Sequence, residues 1–253
     1  MIRMIIRADD VGYCEAVNYG IAKTVKEGLV RSVGIMPNMP SAAHGIGLLE
    51  GTGVCMGQHT NVCLGKPCAE PDRIPSLLKE DGTFKSSRTY REAWAKGEDF
   101  VVLDEAVWEI EAQYRRFVEL TGLQPGYFEA HAVMSENLYK GLAIVAERHH
   151  LRYSDMTPVS NVGFFGGKPV ACCAMGSMKP DYDPFQCLKD AVADARKDIP
   201  NVFVCHPGYV DAYLLRSSSL TLNRTKEVEM LCARETKEWL AARGVELLSY
   251  DEY

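Results

Sequence analysis

Long apolar runs are absent: no stretch of the 253 residues approaches the roughly 18 that a membrane span requires. The opening Met1-Ile2-Arg3-Met4-Ile5-Ile6 is too short for the apolar core of a signal peptide and lacks its flanks, so a cytoplasmic protein with no membrane partner is expected. Positive charge is in deficit, with 28 Lys and Arg against 34 Asp and Glu and a net charge of −6. That removes the electrostatic motive for binding nucleic acid or an anionic bilayer. No GxGxxG or GxxxxGK[ST] loop follows a strand-like run, which disfavours nucleotide binding. No GxSxG elbow surrounds Ser217-Ser218-Ser219, so that run reads as a solvated loop and not as a nucleophile. Cysteine is not scarce, but the count is odd (nine), no CxxC occurs, and several lie in apolar runs. Reduced thiols acting as small hydrophobes fit this better than a disulfide framework or a cysteine zinc site. With no internal repeat, low-complexity segment or linker, residues 1–253 are expected to form a single domain.

What is present is an alternation of strand-like and helix-like segments. Strand candidates are Met4–Ala8, Leu29–Met36, Gly53–His59, Tyr127–His131, Leu151–Asp155, Lys168–Met175, Asn201–His206 and Val245–Tyr250. Between them the spacing predicts helices at Glu15–Glu27, Ala42–Leu49, from Asp104 as N-cap to Thr121, Glu136–Arg148, Pro184–Lys197 and, as one long element, Thr225–Ala242. About eight strands alternating with helices are the signature of a parallel sheet covered by helices. The fold class expected is α/β, as a closed or partly closed (β/α) barrel of parallel strands, for which roughly 250 residues is an ordinary length. An open doubly wound sheet is the runner-up. Residues 60–100 break the rhythm with Gly65-Lys66-Pro67, Pro71, Pro75 and Asp81-Gly82, and are expected to be a long insertion on the active-site rim.

Several apolar runs end on Asp or His: at Asp9-Asp10, His59, His131, Asp155 and His206. Chemistry gathers beyond the C-terminal ends of parallel strands, because the loops there converge on one rim. Adjacent strand residues point in different directions, so one of Asp9 and Asp10 can bind a metal while the other takes a proton from water. The bland alternative is that Asp10 caps the helix starting near Tyr13. His59 or His131 alone is more often a hydrogen-bonded rim residue. Together with Asp10 they end three strands and offer two imidazoles and a carboxylate, a three-ligand set that leaves positions open for water and substrate. His206, before Pro207-Gly208, is placed to give or take a proton near neutral pH. His44, His149 and His150 read as structural or solvated. Asp155 and Asp211 have weaker claims, and Met36, Met39, Met56 and Met175 read as packing.

These segments resemble the YdjC-like (ChbG-type) carbohydrate deacetylases. Arg7-Ala8-Asp9-Asp10-Val11-Gly12 resembles that family's N-A-D-D-F-G opening, with Asn18-Tyr19-Gly20-Ile21 following. Gly57-Gln58-His59 and Gly65-Lys66-Pro67, Pro125 to His131 (P-x-x-x-D-S-H in the family) and Cys205 to Asp211 (C-H-P-[AG]-[FY]-x-D) complete an ordered set spanning nearly the whole chain. The resemblance implies a (β/α) barrel-like fold and hydrolysis of N-acetylated sugars such as chito-oligosaccharides. It implies a metal on Asp10, His59 and His131, with Asp9 as general base and His206 as general acid. It further implies Mg²⁺ and a homodimer; two imidazole ligands would also suit Zn²⁺ or Mn²⁺. The chain departs from the pattern in three places. Arg7 replaces Asn, Glu129-Ala130 replaces Asp-Ser, and His131-Ala132-Val133-Met134 lacks the further histidines of the family's H-x-H-x-H run. Competing readings are a metal-dependent hydrolase or isomerase acting on phosphorylated or free sugars, and a sugar-binding relative without catalysis.

Overall fold

The computed structural model describes residues 1–155 and 161–253. In chain order its elements are β1 (Ile2–Val11), α1 (Glu15–Lys26), β2 (Ser32–Ile35), α2 (Ala42–Leu49), β3 (Cys55–Thr60), α3 (Ser87–Ala95), α4 (Leu103–Thr121), β4 (Phe128–Ala130) and α5 (Glu136–Arg148). They continue with β5 (Ser154–Asp155), β6 (Val162–Phe165), β7 (Lys168–Cys172), α6 (Pro184–Ala193), β8 (Asn201–Cys205), α7 (Ala212–Ser217), α8 (Leu222–Cys232), α9 (Arg234–Ala242) and β9 (Val245–Leu248). The strand order is β4-β3-β2-β1-β8-β7-β6-β5, with β9 alongside β1. A parallel bridge between Phe128 and Tyr153 brings the two ends of that order together, so the sheet curls into a nearly closed α/β barrel.

Side-chain alternation sorts the core. Met4, Ile6 and Ala8 of β1 face outward and pack with Val17 and Ile21 of α1. Ile5 faces inward with Tyr127, Phe165, Val170, Val202 and Tyr250, an apolar plug inside the barrel. Arg7 and Asp9 continue that inward face toward the C-terminal rim. A buried pair of amide contacts shapes the turn after β1: Gly12 donates its N–H to Asn18 Oδ1 (2.7 Å), and Asn18 Nδ2 donates to the Ser41 carbonyl (2.8 Å).

Four local expectations are corrected. β6, which was not expected, pairs antiparallel with both β5 and β7, so the sheet is not wholly parallel. The long C-terminal helix is two helices, because Ala233 adopts an extended conformation (φ −62°, ψ 135°) between α8 and α9, and α7 precedes them. Val102, not Asp104, caps α4, and Asp104 lies in its first turn, where a carboxylate favours the helix dipole. Residues 60–100 are more than loop. They carry α3, and Val62, Ile74, Leu77, Phe84 and Tyr90 pack with Ile110 of α4 and Leu142 of α5. Buried Glu109 of α4 anchors this stretch by accepting the N–H groups of Cys68 (3.0 Å) and Ala69 (2.8 Å). Among the described residues no helix is long and apolar enough to cross a membrane.

Candidate active site

Alternation would send Asp9 and Asp10 to opposite faces of β1. The backbone prevents this: Asp10 sits at φ 79°, and the register with β2 shifts between Ala8 and Val11. A left-handed aspartate costs on the order of 1 kcal/mol or more and persists only where the surroundings fix it. Here Arg224 Nη2 donates to Asp10 Oδ2 (2.7 Å), and the Tyr13 N–H donates to the Asp10 carbonyl (3.0 Å). Both carboxylates consequently flank His59, each within one of two clusters of ligand atoms that lie within 4.8 Å of one another: Asp10, His59, His131 and Asp9, His59, Glu129.

The first cluster is the set expected from the strand ends. His131 Nδ1 lies 2.8 Å from His59 Nε2 and 3.1 Å from Asp10 Oδ1, and His59 Nε2 lies 3.4 Å from Asp10 Oδ1. Ligands about 2.0–2.2 Å from one ion, at right or tetrahedral angles, are themselves separated by about 2.8–3.6 Å, so the donor set fits a single divalent cation. Two further observations agree. Asp10 Oδ1 is buried without a well-formed hydrogen bond. Burial acts to discharge His131, yet Asp10 keeps its ring charged and raises it to about 9, a field that favours a cation between these atoms. The far nitrogen of His59, Nδ1, meets Glu129 Oε1 at 2.7 Å. A carboxylate on the outer nitrogen fixes the tautomer and aims the inner one, as is usual for a metal-binding histidine.

Beneath these groups lies Arg7, 3% exposed, which the sequence marked as a departure that could bring a positive charge to the site. Its Nη2 donates to Asp9 Oδ2 (2.8 Å) and lies 2.5 Å from Glu129 Oε2, and its Nε lies 2.7 Å from Asp9 Oδ1. Burial raises the Asp9 carboxyl above its ordinary value, and Arg7 limits the rise. Glu129 is pushed up by burial as well, but Arg7 and then His59 bring it below the usual carboxylate range.

His206 completes the rim. Its N–H donates to Glu227 Oε2 (2.5 Å), its carbonyl accepts from Arg224 Nη1 (3.2 Å), and its Nδ1 is buried without a partner. Burial holds the imidazole down at about 4, against the pull of Asp10 and Asp9. A cavity of about 650 Å³ is lined by Asp10, His131 and His206 together with Arg224, Arg91 and Lys179. Arg91 belongs to α3, so the 60–100 stretch contributes to the cavity wall. Asp155 does not line this cavity, and Asp211 caps α7 by accepting from the Leu214 N–H (2.8 Å). His44 bonds Asn18 (3.1 Å) and His149 bonds Glu111 (2.9 Å), as structural histidines do.

Sequence reasoning missed Arg224 and Glu227. A signal existed: Arg224, Glu227, Val228 and Leu231 are all buried on α8, at spacings of three and four, so two charges stand on an apolar stripe.

The sequence profile of the family described as YdjC-like protein matches residues 3–242, and the chain belongs to that family. Carbohydrate deacetylase 2 of Listeria innocua is 28% identical, with 99% of this chain and 98% of that protein aligned. A carbohydrate deacetylase of Geobacillus stearothermophilus is 30% identical over 98% of this chain and 97% of its own length. The crystal structure of a putative cellobiose-phosphate cleavage protein from Enterococcus faecalis superposes with a TM-score of 0.82 at 23% identity, covering 99% of this chain and 98% of that one, which shows the same fold.

Proposed function

We propose that this protein is a carbohydrate deacetylase that hydrolyses the acetamide of an N-acetylated sugar with the help of a divalent metal ion. The observation that carries the reading is the convergence of Asp10, His59 and His131 at ligand spacing, with Asp10 and His131 on the wall of a cavity that His206 also lines. The names borne by the relatives of L. innocua and G. stearothermophilus point the same way. Bound there, a divalent ion supplies Lewis acidity, polarising the acetyl carbonyl and making water a better nucleophile.

The chain's own groups supply the proton transfers. Asp9, fixed by Arg7 beside His59, takes a proton from the attacking water. His206 gives a proton to the sugar nitrogen as the C–N bond breaks. One proton of the water passes by way of these groups to the amine, and the other stays on the acid, which ionises to acetate and releases it to the amine or to solvent. Because burial keeps His206 neutral in the resting protein, its donated proton has to arrive within the cycle, and Asp9 is the group that receives one. A homodimer, Mg²⁺ as the ion and a cytoplasmic setting belong to the same proposal and rest on the family resemblance; the two imidazoles also suit Zn²⁺ or Mn²⁺.

The test is acetate release from N-acetylglucosamine and short chito-oligosaccharides after metal stripping and reloading with Mg²⁺, Zn²⁺ or Mn²⁺. Phosphorylated forms join the panel because Arg91 and Lys179 line the cavity. Acetate release restored by an ion, and lost in His59→Ala, is expected. Saccharide binding without acetate under every ion would overturn the reading.

A further inference from the structure

We propose that Arg7 and Glu129 are mutually dependent positioning residues, so that two departures from the family pattern amount to a single exchange. The inference rests on the proposed deacetylase reading for the roles of Asp9 and His59, and goes beyond it in assigning the pair that holds them. Each departure alone is hard to accommodate. An arginine at position 7 lies inside the barrel, 3% exposed, on a floor formed by the Tyr127 and Tyr250 rings at 5.9 and 6.0 Å. A glutamate at position 129 is buried against Asp9, a like charge. A buried charge without a partner is strongly disfavoured.

Together the two departures satisfy each other. Arg7 Nη2 reaches Glu129 Oε2 (2.5 Å) and Asp9 Oδ2 (2.8 Å), its Nε lies against Asp9 Oδ1 (2.7 Å), and its Nη1 donates to the Tyr250 hydroxyl (3.2 Å). Glu129 spends its other oxygen on His59 Nδ1 (2.7 Å). The rigid guanidinium fork thus ties the proposed base to the carboxylate that aims a proposed metal ligand. Space confirms that the fit is close. A Cβ at Gly34 of β2 would lie 2.9 Å from Glu129 Oε1, 3.0 Å from Asp9 Oδ1 and 3.0 Å from His59 Cβ.

Arg7→Asn and Glu129→Asp each restore the residue of the family pattern at one position, and the double variant restores both. Three readouts are taken: kcat and KM for acetate release, Mn²⁺ affinity by calorimetry without substrate, and melting temperature. Arg7→Asn alone is expected to lower kcat about 100-fold with KM within about threefold, because a base is displaced while substrate contacts stay. Glu129→Asp alone is expected to weaken Mn²⁺ about 10–100-fold. The double variant is expected to exceed Arg7→Asn in kcat and Glu129→Asp in Mn²⁺ affinity by about tenfold each. Arg7→Lys keeps the charge but loses the fork, and is expected to recover melting temperature without recovering kcat.

Effects that simply multiply in the double variant, in both kcat and Mn²⁺ affinity, would overturn the mutual dependence while leaving the deacetylase reading intact. An inactive wild type whose Mn²⁺ affinities still show the coupling would do the reverse.

Discussion

Asp9 and Asp10 are chemically identical neighbours, and only their surroundings can give them the different roles proposed above. Asp10 points one oxygen at two imidazoles and the other at Arg224, the setting of a ligand held in place. Asp9 faces Arg7 and the far side of His59, and burial raises its proton affinity, the setting of a base. Asp9→Asn keeps an oxygen for Arg7 but cannot take a proton. It is expected to lower kcat by about 10²–10⁴-fold while Mn²⁺ affinity stays within about threefold. Turnover near the wild-type level would remove Asp9 from the base role. The strand-end residues were legible because acids and histidines closing apolar runs stand out against the core pattern. Their supports were less so. Glu129 and Arg7 were visible as departures, and Arg7 as a charge near the site, but nothing in a linear sequence shows that positions 7 and 129 share one guanidinium. The turn of Asp10 into the site was hidden as well, because φ 79° at a non-glycine has no pattern of its own.

At the scale of elements, β2 contributes to the site by contributing nothing. Gly34 sits where β1, β3 and β4 send Asp9, His59 and Glu129 inward, and any side chain there meets all three. Gly34→Ala is expected to cost about 1–3 kcal/mol through overpacking and to weaken Mn²⁺ binding at least tenfold. Gly47→Ala, at an exposed position of α2 with nothing within 4 Å of the added Cβ, serves as the control and is expected to be neutral or stabilising by up to about 1 kcal/mol. Calorimetric titration with Mn²⁺ and thermal melts of both variants check this. Equal metal affinity in the two would show that the site tolerates a wider β2. The main strands and helices were legible from their periodicities, since each buries one regular face. β7 was expected as a strand, but β6 and the hairpin joining the two were missed although the signal was present. Gly166-Gly167, at φ 54° and 79°, separate Phe165 from Lys168, and a two-glycine turn between strand residues is a strong hairpin sign. The break at Ala233 had no such sign, because alanine favours continuing a helix. Polar Ser86-Ser87-Arg88-Thr89 hid α3, of which only Tyr90 is buried.

For the whole molecule, buried acids other than the proposed metal ligands are expected to set a pH dependence of stability. Glu109 under the 60–100 stretch and Glu227 under His206 lie in separate parts of the fold, and burial raises both carboxyls to about 7. Hydrogen-bond donors oppose the rise in each case: the Cys68 and Ala69 amides for Glu109, and the Tyr182 hydroxyl (2.8 Å) and the His206 N–H for Glu227. In the unfolded chain both revert to about 4.3. The folded state therefore binds protons more tightly than the unfolded one between about pH 4.3 and 7, and these two groups make stability fall as pH rises through that window. Glu227→Gln removes one titration while keeping an oxygen for the His206 N–H and an amide for the Tyr182 oxygen. Relative to wild type, the variant is expected to gain about 1–3 kcal/mol on going from pH 5 to pH 8, read from urea unfolding at each pH. Parallel stability curves for the two proteins would mean that Glu227 stays ionised in the fold across this range, and that the field of Arg224 and the Tyr182 hydroxyl outweighs its burial.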